Sequence, residues 1–176
     1  MGDVRIQALI LDVDGTLTDG GVWMDHSGHE FRRTSVLDGF GLRLWKEEGR
    51  RIAIWSGRPA DAIVSRFGKI GLDMVIDGLD DKTAGYHRIL KEFGLKNEEV
   101  CVMGDDLPDA GAMLHCGMPI APANAVSEVQ AIARYVTSSK GGYGAVREAV
   151  EWLLRREEGR WERVCRRYSA SPGPAS

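Results

Sequence analysis

Asp12-Val13-Asp14-Gly15-Thr16, set directly behind an uncharged and mostly apolar run at residues 6–11, constrains this chain more than any other stretch. The run has the composition of a central strand covered on both faces. It ends in two carboxylates spaced two residues apart, and on an extended chain that spacing points both side chains the same way. Like charges converging at a buried strand end repel each other, and desolvation adds to the cost. A divalent cation relieves both, and Mg²⁺ prefers oxygen ligands. An Asp-Gly turn alone would require neither two acids nor the apolar strand before them.

The pattern recurs along the chain. Residues 51–55 read as a second buried strand, which breaks at Ser56-Gly57-Arg58-Pro59 before a helix at 60–68. A hydroxyl and a glycine between strand and helix suit a phosphate, because free N–H groups face the anion there. A third strand is predicted at 73–77, followed by a helix that opens at Asp81-Lys82 and ends at Gly94. A cation at a helix start opposes the helix dipole, which points to an anionic partner for Lys82. A fourth strand at 99–103 ends in Gly104-Asp105-Asp106-Leu107-Pro108-Asp109. Two acidic strand ends can meet only if their strands are parallel neighbours.

Between the first two strands, two short extended runs around a glycine turn predict a β-hairpin over 18–34. Ser35 to Gly41 reads as a polar, glycine-bearing entry to a helix at 42–48. Further on come a strand at 118–122, a helix at 127–134, an edge strand at 135–137 and an amphipathic helix at 145–158. A basic segment carrying Trp161, Val164 and Tyr168 follows, and the Ser/Pro/Gly/Ala-rich stretch 169–176 is expected to be disordered. Alternating strands and helices predict an α/β fold: a doubly wound, Rossmann-like parallel sheet with helices on both faces, a small hairpin flap and one domain over 1–168. Such folds bind ligands beyond the carboxyl ends of their strands.

Composition narrows the function. With 176 residues the chain can bury a full core, and a net charge of −3 argues against a general nucleic-acid binder. No apolar run reaches the length of a membrane span. Three widely spaced cysteines, Cys101, Cys116 and Cys165, fit neither a disulfide framework nor a zinc site, and suggest a cytoplasmic protein.

In order and character the motifs resemble those of the haloacid dehalogenase superfamily of phosphohydrolases, over about residues 6–154. The gaps between them leave no room for a cap domain. With Asp38-Gly39-Phe40-Gly41, Ser56-Gly57-Arg58, Gly104-Asp105-Asp106 and Gly142-Tyr143-Gly144-Ala145-Val146-Arg147-Glu148, the chain is similar to capless members acting on an acidic sugar ester, 3-deoxy-D-manno-octulosonate 8-phosphate. The resemblance implies that Asp12 is the nucleophile and Asp14 the general acid/base. Mg²⁺ would be held by Asp12, Asp14 (through its backbone carbonyl) and Asp105, with Thr16, Asp106 and Asp109 in support. Ser56 and Lys82 would neutralise the phosphoryl oxygens. Sugar contacts would come from Ser35, Val36, Leu37, Asp38, Gly39, Arg43, Arg58, Arg66 and Lys82. Leu37 and Tyr143 stand where the family usually or often carries arginine. The small-molecule sugar phosphate would have a second copy of the chain as company: the resembled enzymes are homotetramers, and the apolar residues Val22, Trp23, Met24 and Phe31 of the hairpin suit pairing between subunits that complete one another's sites. No nucleic acid and no membrane enters this reading. Rivals are a phosphatase of a nine-carbon sialic-type sugar ester, a broad-specificity phosphatase, and a receiver-like module that only accepts phosphate. Possession of both Asp12 and Asp14 argues against the last.

Overall fold

The computed structural model describes residues 5–169, so most of the expected disordered stretch at 169–176 lies outside the described residues. In chain order the strands are β1 (Ala8–Leu11), β2 (Trp23–Met24), β3 (Glu30–Phe31), β4 (Arg51–Trp55), β5 (Met74–Ile76), β6 (Val100–Met103), β7 (Met118–Ala121) and β8 (Tyr135–Val136). The helices are α1 (Val36–Glu47), α2 (Asp61–Phe67), α3 (Lys82–Phe93), α4 (Leu107–His115), α5 (Ser127–Ile132), α6 (Ala145–Arg155) and α7 (Arg160–Ser169). Six strands make one parallel sheet in the order β5-β4-β1-β6-β7-β8, and β2 pairs with β3 in a separate antiparallel hairpin. The hairpin is closed at its base by a bridge between Thr18 and Thr34.

Alternation along the strands divides the core. Leu9, Leu11, Ile52 and Ile54 pack on one face against residues of α1, α2, α6 and α7. Ala8, Ile10, Ala53 and Trp55 pack on the other against α3, α4 and α5. Burial on both faces is why these strands carry no polar alternation. Register then fixes the site. Leu11 is level with Ile54 of β4 and with Met103 of β6, so the residues that follow each strand emerge side by side.

Two elements differ from the sequence reading. The first helix begins at Val36, not at 42, with Ser35 as its cap: Ser35 Oγ accepts from Leu37 N at 3.1 Å. Its internal glycines look like loop in sequence, but Gly41 is where α1 crosses α6. A Cβ there would lie 2.9 Å from Arg147 Cα, so close packing of the two helices requires glycine. The basic segment after Gly159 is the helix α7. Its Trp161 and Val164 are buried, and Arg160 and Arg167 pair with Glu48 at 2.7 Å each. Among the described residues no helix is long and apolar enough to cross a membrane.

Arg50 ties the end of this assembly to the sheet. Its side chain is fully buried, stacks on Trp45 at 4.4 Å, donates to Ile6 O at 3.0 Å and pairs with Glu157. Removing one partner of a buried pair leaves an uncompensated charge. Glu157→Ala is therefore expected to cost about 3 kcal/mol in urea unfolding, and Arg50→Met, which removes the buried charge itself, less than that. A larger loss in Arg50→Met would assign the stability to arginine packing instead.

Candidate active site

At the end of β1 the chain leaves the sheet through Asp12 and makes a wide turn, closed by Thr18 N on Val13 O at 2.9 Å. Gly15 sits in that turn at φ +92°, and a Cβ on it would lie 2.0 Å from Asp105 Oδ2. Only glycine lets this turn close onto the loop that follows β6. Asp105 in turn accepts from Thr16 Oγ1 at 3.4 Å. Asp106 caps α4, and Asp109 on its first turn accepts from the backbone N–H groups of Asp105 and Asp106 at 3.1 and 3.4 Å.

Three carboxylates converge as a result: ligand oxygens of Asp12, Asp105 and Asp109 lie within 4.8 Å of one another. One cation faces them. Lys82, the first residue of α3, donates from Nζ to Asp12 Oδ1 at 2.5 Å and to Asp109 Oδ1 at 2.8 Å, with the Trp55 ring 5.7 Å away. The misfit of a lysine at a helix start is thus explained by its acidic partners. Burial pulls the Lys82 pKa down, but Asp12 and Asp109 outweigh it and leave the ammonium more firmly protonated than usual. The acids are not satisfied to the same degree. Burial first, then Asp109, holds the Asp12 carboxyl well above the usual carboxylate range, even with Lys82 beside it. Burial and Asp109 push Asp105 up to about 6. Three oxygen donors with more negative charge than one ammonium can offset make a donor set that fits Mg²⁺.

Asp14 and Ser56 line the same cavity, of about 360 Å³, together with Asp12, Lys82 and Asp105. The third carboxylate beside Asp12 and Asp105 is Asp109, which also holds Lys82 as expected of a support, while the Asp14 carboxylate, whose metal role was expected of its backbone carbonyl, turns to Arg32 Nη1 at 3.5 Å. Ser56 Oγ accepts from Arg58 N at 3.0 Å. Arg32 was not singled out by sequence. The signal was its place on the returning side of a hairpin that starts beside Asp14, and its guanidinium is only 9% exposed.

The residues expected on the sugar are dispersed. Asp38 is fully buried, and its carboxylate accepts from Gly144 N at 3.2 Å and Arg147 N at 2.9 Å, where it caps α6; it is not free for a ligand. Ser35 Oγ is likewise engaged as a helix cap, and Gly39 is buried within α1, while Val36 and Leu37 are exposed. Arg43 and Arg66 line a different groove, between α1 and α2, with Lys46 and Lys69. Arg58 reaches Glu30 of the hairpin at 2.5 Å.

A raised Asp105 pKa means that between about pH 4 and 6 the folded protein holds a proton that the unfolded chain has released. Stability from this group is present below that window and lost as pH rises through it. In chelator near neutral pH, Asp105→Asn is expected to melt a few degrees above the parent, and the gap should close toward pH 4. Mg²⁺ should stabilise the parent more than the variant. A parent that melts higher than Asp105→Asn in chelator at neutral pH would contradict this charge balance.

Comparison with known proteins identifies the family. The family description of haloacid dehalogenase-like hydrolases matches residues 64–149. The 3-deoxy-D-manno-octulosonate 8-phosphate phosphatase KdsC of Yersinia pestis is 37% identical over 150 residues, covering 85% of this chain and 80% of the relative. Its Escherichia coli K12 counterpart is 36% identical over the same length. Among solved structures, the 3-deoxy-D-manno-octulosonate 8-phosphate phosphatase of Moraxella catarrhalis, in complex with magnesium ion, phosphate ion and KDO, superimposes with a TM-score of 0.89 at 32% identity, covering 93% of this chain and 94% of that one. This chain belongs to the haloacid dehalogenase-like hydrolases, in the family of the 3-deoxy-D-manno-octulosonate 8-phosphate phosphatases.

Proposed function

We propose that this protein is a Mg²⁺-dependent phosphatase that hydrolyses 3-deoxy-D-manno-octulosonate 8-phosphate through an aspartyl-phosphate on Asp12. The observation that carries this reading is the convergence of Asp12, Asp105 and Asp109 around Lys82 at the ends of parallel strands. Asp12, the backbone carbonyl of Asp14 and Asp105 would hold the metal, with Asp109 supporting Lys82 beside them; the metal supplies positive charge to an anionic ester and to the acids around it.

The chain's own residues do the rest. Asp12 Oδ attacks phosphorus, and the bond to the sugar oxygen breaks. Asp14 gives its proton to that oxygen, then takes one from the water that opens the acyl phosphate. Arg32 holds Asp14 toward the cavity between these two transfers. Two of the three Lys82 donors are directed at Asp12 and Asp109, and the third is available to a phosphoryl oxygen. Ser56 offers its hydroxyl at the same mouth.

The site is open, and the hairpin beside it is apolar. Trp23 and Met24 are 70% exposed and Phe31 61%, on a two-stranded ribbon with strands of two residues each. Such a ribbon is marginal alone, and contiguous exposed apolar surface marks an interface. A homotetramer paired through its hairpins accounts for this surface. Arg43 and Arg66 line a groove distinct from the cavity of their own chain, and in this assembly they would serve the site of a neighbouring copy. The cysteines Cys101, Cys116 and Cys165, all free thiols, suit a reducing cytoplasm.

Asp12→Asn is expected to lower kcat by about 10⁴-fold or more while leaving the fold intact, since it removes the nucleophile and keeps the shape. EDTA should abolish turnover and Mg²⁺ restore it. Turnover that survives either change would sink the mechanism. Light scattering should give the mass of four chains, and Trp23→Glu should shift it downward with loss of activity on the sugar ester. A monodisperse, fully active monomer would remove the tetramer.

A further inference from the structure

The metal site proposed above asks most of one peptide. A carboxylate can swing to meet a cation, but a backbone carbonyl goes where its peptide plane puts it. The carbonyl in question belongs to Asp14, and its peptide ends on Gly15, which sits at φ +92° and has no side chain to limit its motion. Asp14 itself is extended, at φ −81° and ψ 112°, so this peptide departs from the helical path of the turn around it.

Two side chains hold Gly15, one on each side. On the first, Thr18 is fully buried, and its Oγ1 accepts from Gly15 N and Gly20 N at 3.3 Å each while donating to Val13 O at 3.2 Å. A trans peptide sets its carbonyl opposite its N–H, so a bond that fixes the Gly15 N–H also fixes the Asp14 carbonyl. On the second, Asn124 Nδ2 donates to Gly15 O at 2.8 Å, and Asn124 Oδ1 accepts from Gly141 N at 2.6 Å. The peptides before and after Gly15 are thus both anchored, and the freedom of the glycine between them is removed.

Asn124 is in turn braced against the other acidic loop. Two residues on, Val126 N donates to Asp105 O at 2.9 Å, and one residue back, Ala123 N donates to Ser139 O at 3.1 Å. Gln130 of α5 donates from Nε2 to Ala123 O and Ala125 O at 3.3 and 2.8 Å. The short loop 122–126 therefore grips both the turn after Asp12 and the loop that carries Asp105. Close approach of the 139–141 segment completes the clamp: a Cβ on Gly141 would lie 1.8 Å from Gly15 O.

We propose that Thr18 and Asn124 are positioning residues for the metal: they set the direction of the Asp14 carbonyl, and through it the affinity for Mg²⁺, without touching the ion. Partners that orient a ligand in this way commonly govern metal affinity. If these bonds only stiffened the turn, their loss would lower stability and leave affinity unchanged.

The inference rests on the metal ligands proposed in the preceding section, so the parent is measured first. Mg²⁺ binding is followed by calorimetry without substrate, beside Asp105→Asn, with thermal unfolding in chelator to verify the fold. If the parent takes up no Mg²⁺, or Asp105→Asn binds it as tightly as the parent, the ligand assignment is wrong and the inference falls with it. Given a parent site that needs Asp105, Thr18→Val, which keeps the shape and removes the hydroxyl, should weaken Mg²⁺ binding roughly 10- to 100-fold, and so should Asn124→Ala. Thr18→Ser should restore most of the affinity. Asn124 is exposed, so its truncation tests the idea even if Thr18→Val fails to fold. Parental Mg²⁺ affinity in the folded variants, whatever their melting temperatures, would overturn the proposal.

Discussion

Three carboxylates crowd around one ammonium at the end of a parallel sheet, and the rest of the structure serves that arrangement. Asp12 and Asp109 share Lys82 in a largely buried setting with Asp105 beside them, and burial lifts the pKa values of both Asp12 and Asp105. A fold does not gather such charges for its own stability, because burial makes each of them costly. The parallel register of β1, β4 and β6 brings the acids level, and Gly15 lets their two loops touch. What results is a place where a cation and a phosphate ester are each more welcome than water.

Much of this was legible in the sequence, for physical reasons. Strands covered on both faces must be continuously apolar, so β1, β4 and β6 stood out, and the charges that break them marked the site. Lys82 betrayed itself by opposing its helix dipole. What was not legible depended on contacts between distant segments. Gly41 reads as a loop residue until α6 is seen to cross it, and α7 reads as a basic tail until Glu48 is found to bind Arg160 and Arg167. That the Asp109 carboxylate comes within reach of Asp12 and Asp105 depends on how the first turn of α4 faces the end of β1, which spacing does not give.

Recognition of the sugar was the least legible part. The family resemblance, not local pattern, offered Asp38, Arg43, Arg58 and Arg66 as one set, and within one copy of the chain they lie in different places. Asp38 became the cap of α6, Arg58 joined Glu30, and the other two entered a groove between α1 and α2. Spacing along a chain says little about where side chains from separate elements end up on a surface. Catalytic groups, by contrast, sit on the ends of regular elements, where spacing and geometry are tightly coupled.

The central claim is that Asp12 carries the phosphoryl group between the two halves of the reaction. The most direct test is to mix the wild-type enzyme with ester and Mg²⁺, quench in acid during turnover, reduce with borohydride and map the peptides by mass. The account predicts that Asp12, and no other residue, is recovered as homoserine, the reduction product of an acyl phosphate. Release of phosphate from the wild-type enzyme with no modification at Asp12 under any quench, or with modification at another residue, would contradict it.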